Sequence, residues 1–204
     1  GNETAGGETD ANGEGDFYHS VPTGFKMLKQ DNLSATDQNI EDGPTPPKPD
    51  LVWVKNRTDG TADSHQIYDS TRGVTKDIHT DSSGAEGTTL DGLQKFVSGG
   101  FEVEDDVAIN TADENYISWN WVANGGTTSA NTDGSGATLA STIQANQTAG
   151  FSIVTYTGDA TAGRKVAHGL SQAPEWLWIK GRSIGTGHVI YHHKNTAAPE
   201  TDYL

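Results

Sequence analysis

Apolar residues in this chain come in short bursts, and their spacing decides what each burst can become. In Tyr116-Ile117-Ser118-Trp119-Asn120-Trp121-Val122, Ile117, Trp119 and Trp121 fall on one side and Ser118 and Asn120 on the other. That alternation predicts a half-buried β-strand. Leu51-Val52-Trp53-Val54 and Trp176-Leu177-Trp178-Ile179 are instead continuous apolar runs, entered from Pro49 and Pro174 and closed by Lys55 and Lys180. Such runs predict strands covered on both faces, so Trp53 and Trp178 are expected to pack in a core. Phe151-Ser152-Ile153-Val154-Thr155-Tyr156-Thr157 is a β-branched and aromatic run stopped by Gly158. Gln94-Lys95-Phe96-Val97 and Phe101-Glu102-Val103 flank Ser98-Gly99-Gly100 and predict a hairpin, because glycine supplies the positive φ of a tight turn. No stretch sustains a helical period, and residues 89–94 suit one helical turn at most. The predicted class is all-β, built of β-sandwich units of jelly-roll or lectin-like type with long polar loops.

The two continuous runs belong to a repeat. Pro49-Asp50-Leu51-Val52-Trp53-Val54-Lys55-Asn56-Arg57 aligns without a gap on Pro174-Glu175-Trp176-Leu177-Trp178-Ile179-Lys180-Gly181-Arg182, an offset of 125 residues from Trp53 to Trp178. Beyond the next loop, His65-Gln66-Ile67-Tyr68 aligns on His188-Val189-Ile190-Tyr191, 123 residues on. Apolar runs that match on both sides of a loop that differs in length are the mark of a duplicated unit. Three polar stretches punctuate the chain: 1–15 rich in Gly, Glu and Asp, 43–49 rich in Pro, and 125–136 rich in Gly, Ser, Thr and Asn. They suggest a remnant of a preceding β-sandwich plus linker over 1–47, a first unit over 48–124, a Gly/Ser/Thr linker over 125–148 and a second unit over 149–204. The chain begins at Gly1 and stops at Leu204 inside an apolar pattern, as expected of a stretch cut from a longer polypeptide.

Composition narrows the partners. Leu, Ile, Val and Phe number 9, 10, 11 and 5, or 35 of 204 residues (about 17%), and the formal net charge is -15. So little apolar material confines order to thin β layers between long polar loops. With 28 acidic against 13 basic residues, the surface repels a phosphate backbone, and nucleic acid is not an expected partner. The absence of cysteine removes disulfides, thiol nucleophiles and Cys-ligated zinc. No window approaches the ~18 apolar residues of a membrane span, so membrane insertion is not expected.

Several motifs resemble a known family. Phe151-Ser152-Ile153-Val154-Thr155-Tyr156-Thr157-Gly158, then His168-Gly169-Leu170 and Ala173-Pro174-Glu175, are similar to a repeat domain of large marine bacteriophage proteins. Tyr68-Asp69-Ser70-Thr71-Arg72-Gly73-Val74, the Phe96 to Phe101 stretch and the Tyr116 to Ala123 stretch echo its later part. In that family the repeats often follow a SPRY-type β-sandwich, whose closing segment Gly1-Asn2-Glu3-Thr4-Ala5-Gly6-Gly7, Gly15-Asp16-Phe17-Tyr18 and Pro22-Thr23-Gly24-Phe25 resemble. The resemblance implies a tail-fibre or other virion-surface protein that mediates host attachment as a homo-oligomer. Its implied partners are other virion proteins, copies of itself and a host-surface glycan. The alternatives are a head-decoration or capsid-fibre protein and a secreted carbohydrate-binding module. A counterpart of residues 151–170 is expected ahead of Pro49, yet residues 34–48 are acidic and Pro-rich and lack a strand pattern.

Candidate chemistry is sparse, and neither catalysis nor a cofactor is expected. His188, His192 and His193 are close in sequence, but zinc needs three or four converging ligands, and on a strand His192 and His193 point to opposite faces. Asp10, Asn12 and Asp16 place oxygen ligands around glycines as calcium loops do, without the bidentate twelfth-position Glu. Glu102, Glu104, Asp105 and Asp106 contain the carboxylates a glycosidase pair would need but suggest a solvated acidic turn. Aromatic side chains are the remaining binding material. With Trp53 and Trp178 assigned to the core, loop-borne tyrosines are the expected sugar-stacking groups.

Overall fold

The structure, a computed structural model, describes residues 25–31, 38–41, 47–58, 63–123, 128–129 and 136–195. All regular elements among them are strands, and the class is all-β and sandwich-like as expected. A five-stranded antiparallel sheet is formed by β1 (Phe25–Asp31), β3 (Leu51–Asn56), β4 (Gln66–Asp69), β5 (Gly73–His79) and β8 (Asn115–Trp121), in the order β1-β8-β3-β4-β5. A three-stranded sheet of β2 (Gln38–Glu41), β6 (Leu93–Val97) and β7 (Gly100–Val103) runs β2-β7-β6. The predicted hairpin is β6–β7, and Gly99 at its turn takes φ 90°. No described helix is long and apolar enough to cross a membrane.

The period of two explains how these sheets meet. Along β3 burial alternates, with Val52, Val54 and Asn56 inward and Leu51, Trp53 and Lys55 half-buried on the other face. Val52 and Val54 join Tyr68 of β4 and Tyr116 of β8 against Leu93, Phe101 and Val103 of the smaller sheet, with Ile109 closing one end. Inward rows from two sheets thus make one apolar layer, the packing of a β-sandwich.

β8 reverses its expected orientation. Ser118 and Asn120 are buried with Tyr116 on the inner face, while Ile117, Trp119 and Trp121 are half-buried on the outer one. Polar groups survive inside because they bond to one another. Asn120 Nδ2 donates to Ser118 Oγ at 3.1 Å. Asn56 Nδ2 donates to Asp63 Oδ2 at 2.8 Å and to the Glu114 carboxylate. Burial first, then the carboxylates of Asp106, Asp77 and Asp91, pushes up the Tyr68 phenol, so it stays protonated and donates to Gln66 Oε1. The outer aromatic row is no less useful, because it carries the rest of the chain.

The rest comprises β9 (Thr128–Ser129), β10 (Ser141–Asn146) and β11 (Phe151–Tyr156) in one small sheet, and the hairpin β12 (Trp176–Lys180) with β13 (His188–His192). β10 lies in the stretch read as linker, and β1 and β2 lie in the stretch read as a preceding remnant. A second small cluster holds Ile143 and Ala167, with Ala137, Ala145 and Val154 against them. Gly169 passes over it at φ 73°, where an added Cβ would stand 2.9 Å from both Ala145 Cβ and Ile143 Cγ2, so the glycine of the His168-Gly169-Leu170 motif is a packing requirement.

The two matched stretches form hairpins of the same register. Trp53 pairs with Ile67 and Val52 with Tyr68. At the matching positions Trp178 pairs with Ile190 and Leu177 with Tyr191. Phe101 lies at the centre of the larger core and is 2% exposed. Phe101→Ala should therefore lower unfolding free energy by about 3 to 5 kcal/mol, measured by denaturant titration.

Candidate functional site at the tryptophan junction

Four of the five tryptophans meet on the outer face of the larger sheet. Trp53 and Trp119 are cross-strand partners whose ring centroids lie 5.2 Å apart. Trp178 meets Trp53 edge-on at 5.7 Å, and Trp176 meets Trp178 in the same manner at 5.7 Å. The row Trp119–Trp53–Trp178–Trp176 thus crosses from one repeat to the other through the two matched tryptophans. Trp53, Trp119 and Trp178 are half-buried, and Trp176 is 49% exposed at the end of the row. The core assignment of Trp53 and Trp178 is therefore corrected. Their strands do have both faces occupied in the first unit, but the tryptophans take the junction face and Val52 and Val54 take the core.

Each matched tryptophan has a matched histidine beside it. Trp53 and His65 have centroids 6.2 Å apart, and Trp178 and His188 5.4 Å. In the second hairpin Trp178 Nε1 donates to His188 Nδ1 at 2.7 Å, while His188 Nε2 lies 3.1 Å from the His79 carbonyl and 3.2 Å from that of Ser82. This pattern assigns the neutral imidazole with hydrogen on Nε2. In the first hairpin Trp53 Nε1 and His65 Nδ1 are buried and neither has a partner. The matched lysines share a role, since Lys55 Nζ reaches the Asp63 carbonyl and Lys180 Nζ the Thr186 carbonyl, each at 2.7 Å. Both carbonyls lie two residues before the histidine, so the lysine closes the hairpin loop.

Polar contacts fasten the junction. Arg182 grips Glu86 with Nε to Oε2 at 2.7 Å and Nη2 to Oε1 at 2.9 Å, the bidentate geometry that makes such pairs strong. Glu86 also receives Arg72 Nη1 at 3.2 Å. Arg72 is itself held by Asp69 and by the Ile67 carbonyl, which ties down the Asp69-Ser70-Thr71-Arg72-Gly73 turn. Elsewhere, Gln144 of β10 stands 2.8 Å from Ser70 Oγ and 2.7 Å from Thr71 Oγ1, and Phe151 stacks on Trp121 at 6.0 Å.

The other candidates are dispersed. His192 and His193 stack on each other at 5.0 Å instead of opposing, because β13 ends at His192 and the chain turns. Among the described residues no three His, Asp or Glu side chains converge as metal ligands. Asp10, Asn12 and Asp16 lie outside the described residues. Glu102 pairs with Lys95 at 2.9 Å, and Asp105 is exposed. Burial, with help from Asp91, Asp63 and Asp77, raises the Asp106 carboxyl, which accepts from the Ala108 amide at 3.1 Å. The described tyrosines are strand residues, not loop residues: Tyr68 and Tyr116 are buried, Tyr191 is half-buried and Tyr156 is exposed. Sequence reasoning placed the matched tryptophans inside because a continuous apolar run does not say which face meets the core.

Residues 24–204 match a domain of unknown function, DUF7483, and the chain belongs to that family. No curated protein and no solved structure matches the chain.

Two expectations follow from this geometry. Burial alone would raise the Glu86 carboxyl, but hydrogen bonds from Arg182 and Arg72 and their charges outweigh it and hold its pKa below the ordinary 4.5. A carboxyl depressed on folding contributes stability that is present above its unfolded pKa and lost as pH falls through the folded value. The melting temperature of the chain should therefore fall more steeply below about pH 4.5 than that of Glu86→Gln, which lacks this titration. Trp178→Phe keeps an aromatic ring at the junction but removes the donor to His188. It should cost about 1 kcal/mol in chemical denaturation.

Proposed function

We propose that this chain is a non-enzymatic structural and attachment component of a bacteriophage virion, of the tail-fibre or receptor-binding type, working as an oligomer that contacts host-surface glycan. The observation that carries the reading is the row Trp119–Trp53–Trp178–Trp176. Flat apolar ring faces complement the apolar faces of pyranose rings, and a chain of partly exposed aromatics offers more than one such face. The surface charge of -15 keeps such particles apart in solution. Resemblance to marine phage repeats supports the virion setting.

The test is glycan-array binding by the full chain, alongside mass spectrometry of purified particles. Trp176→Ala should reduce binding at least tenfold while lowering the melting temperature by only a few degrees, because the ring is half exposed and, among the described rings, packs on Trp178 alone. An array without hits would overturn the glycan assignment, and absence from particles would overturn the virion assignment. Binding without particle association would favour a secreted carbohydrate-binding module.

A further inference from the structure

The two hairpins have the same register but different cover. On the inner face of the first, Val52 is 0%, Val54 5%, Gln66 5% and Tyr68 0% exposed. Their counterparts in the second are Leu177, Ile179, Val189 and Tyr191. Leu177 is 37%, Ile179 43% and Val189 44% exposed, while Tyr191 is half-buried. Leu177 lies opposite Tyr191 and Ile179 opposite Val189, so the four side chains form one contiguous patch. The other face of β12–β13 is occupied by the junction, where Trp178 meets Trp53 and His188 meets the His79 and Ser82 carbonyls. Among the described strands, one edge of the hairpin is also unpaired. β3 pairs with β4 on one side and β8 on the other, whereas β12 pairs with β13 alone among the described strands.

We propose that the bare face and open edge of β12–β13 form a docking surface for the other half of a repeat unit, carried by a further segment of the same polypeptide. The first unit defines its chemistry. A hairpin of the β6–β7 kind lays Leu, Phe and Val side chains over Leu177, Ile179, Val189 and Tyr191, as Leu93, Phe101 and Val103 cover Val52, Val54 and Tyr68. A strand of the β8 kind pairs along β12, as Asn115–Trp121 pairs along β3. A second copy of this chain has no such hairpin to lend, because its own Leu93, Phe101 and Val103 are at most 2% exposed within its own sandwich. The inference goes beyond the attachment reading and does not depend on it.

The test uses the full chain fused at its C-terminal end to a second copy of its own residues 80–123, followed by amide hydrogen exchange. Exchange at Trp176, Trp178 and Lys180, whose amides face away from β13, should slow at least tenfold in the fusion. Leu177→Asp with Ile179→Asp in the fusion should restore the rates of the chain alone. If the fusion fails to fold, residues 80–123 added in trans as a synthetic peptide should shift the same three amide resonances. The proposal is overturned if neither arrangement alters those residues. It is equally overturned if the chain alone dimerises in sedimentation through Leu177 and Ile179, which would make a second copy the occupant.

Discussion

A β-hairpin has two faces, and in a stable fold both need cover. The chain repeats one hairpin in one register and covers it differently each time. In the first copy the inner face meets Leu93, Phe101 and Val103, which makes the principal core. In the second copy the outward row meets the first unit, and Trp178 rests on Trp53. The same alternation of side chains therefore serves a core in one place and a junction in the other.

The junction combines three kinds of interaction with different reach. Edge-on tryptophan contacts supply apolar area and geometry. The Trp178–His188 bond fixes the orientation of one indole and one imidazole. The Arg182–Glu86–Arg72 arrangement joins a half-exposed guanidinium to a buried one through a single carboxylate, so charge in the first unit is compensated partly from the second. Trp53 and His65, by contrast, leave two buried nitrogens without partners.

A chain with about 17% Leu, Ile, Val and Phe folds by letting polar groups fill part of its interior. Asn56, Asn110, Ser118 and Asn120 are buried beside Val52, Val54 and Val103. Bonds from Asn120 to Ser118, from Asn56 to Asp63 and Glu114, and from Asn110 to the Glu104 carbonyl replace part of what is lost to water, which lowers the desolvation cost. This explains why composition suggested marginal order while the described sheets are regular.

The sequence by itself determined the all-β class, the β6–β7 hairpin, the strands β3, β8, β11 and β12, and the repeat, because all of these rest on local periodicity and turn chemistry. Residues 25–31, read as the end of a preceding sandwich, contribute β1, which pairs along β8. Residues 34–48, without an apolar rhythm, still contribute β2, because Gln38–Glu41 needs only the edge of β7 to pair with. Only the tertiary structure decided which face of each strand is inside. Alternation separates two rows of side chains but does not name the buried one. That choice belongs to whatever packs against the sheet, and here Ser118 and Asn120 turned inward because the tryptophans had a second unit to meet.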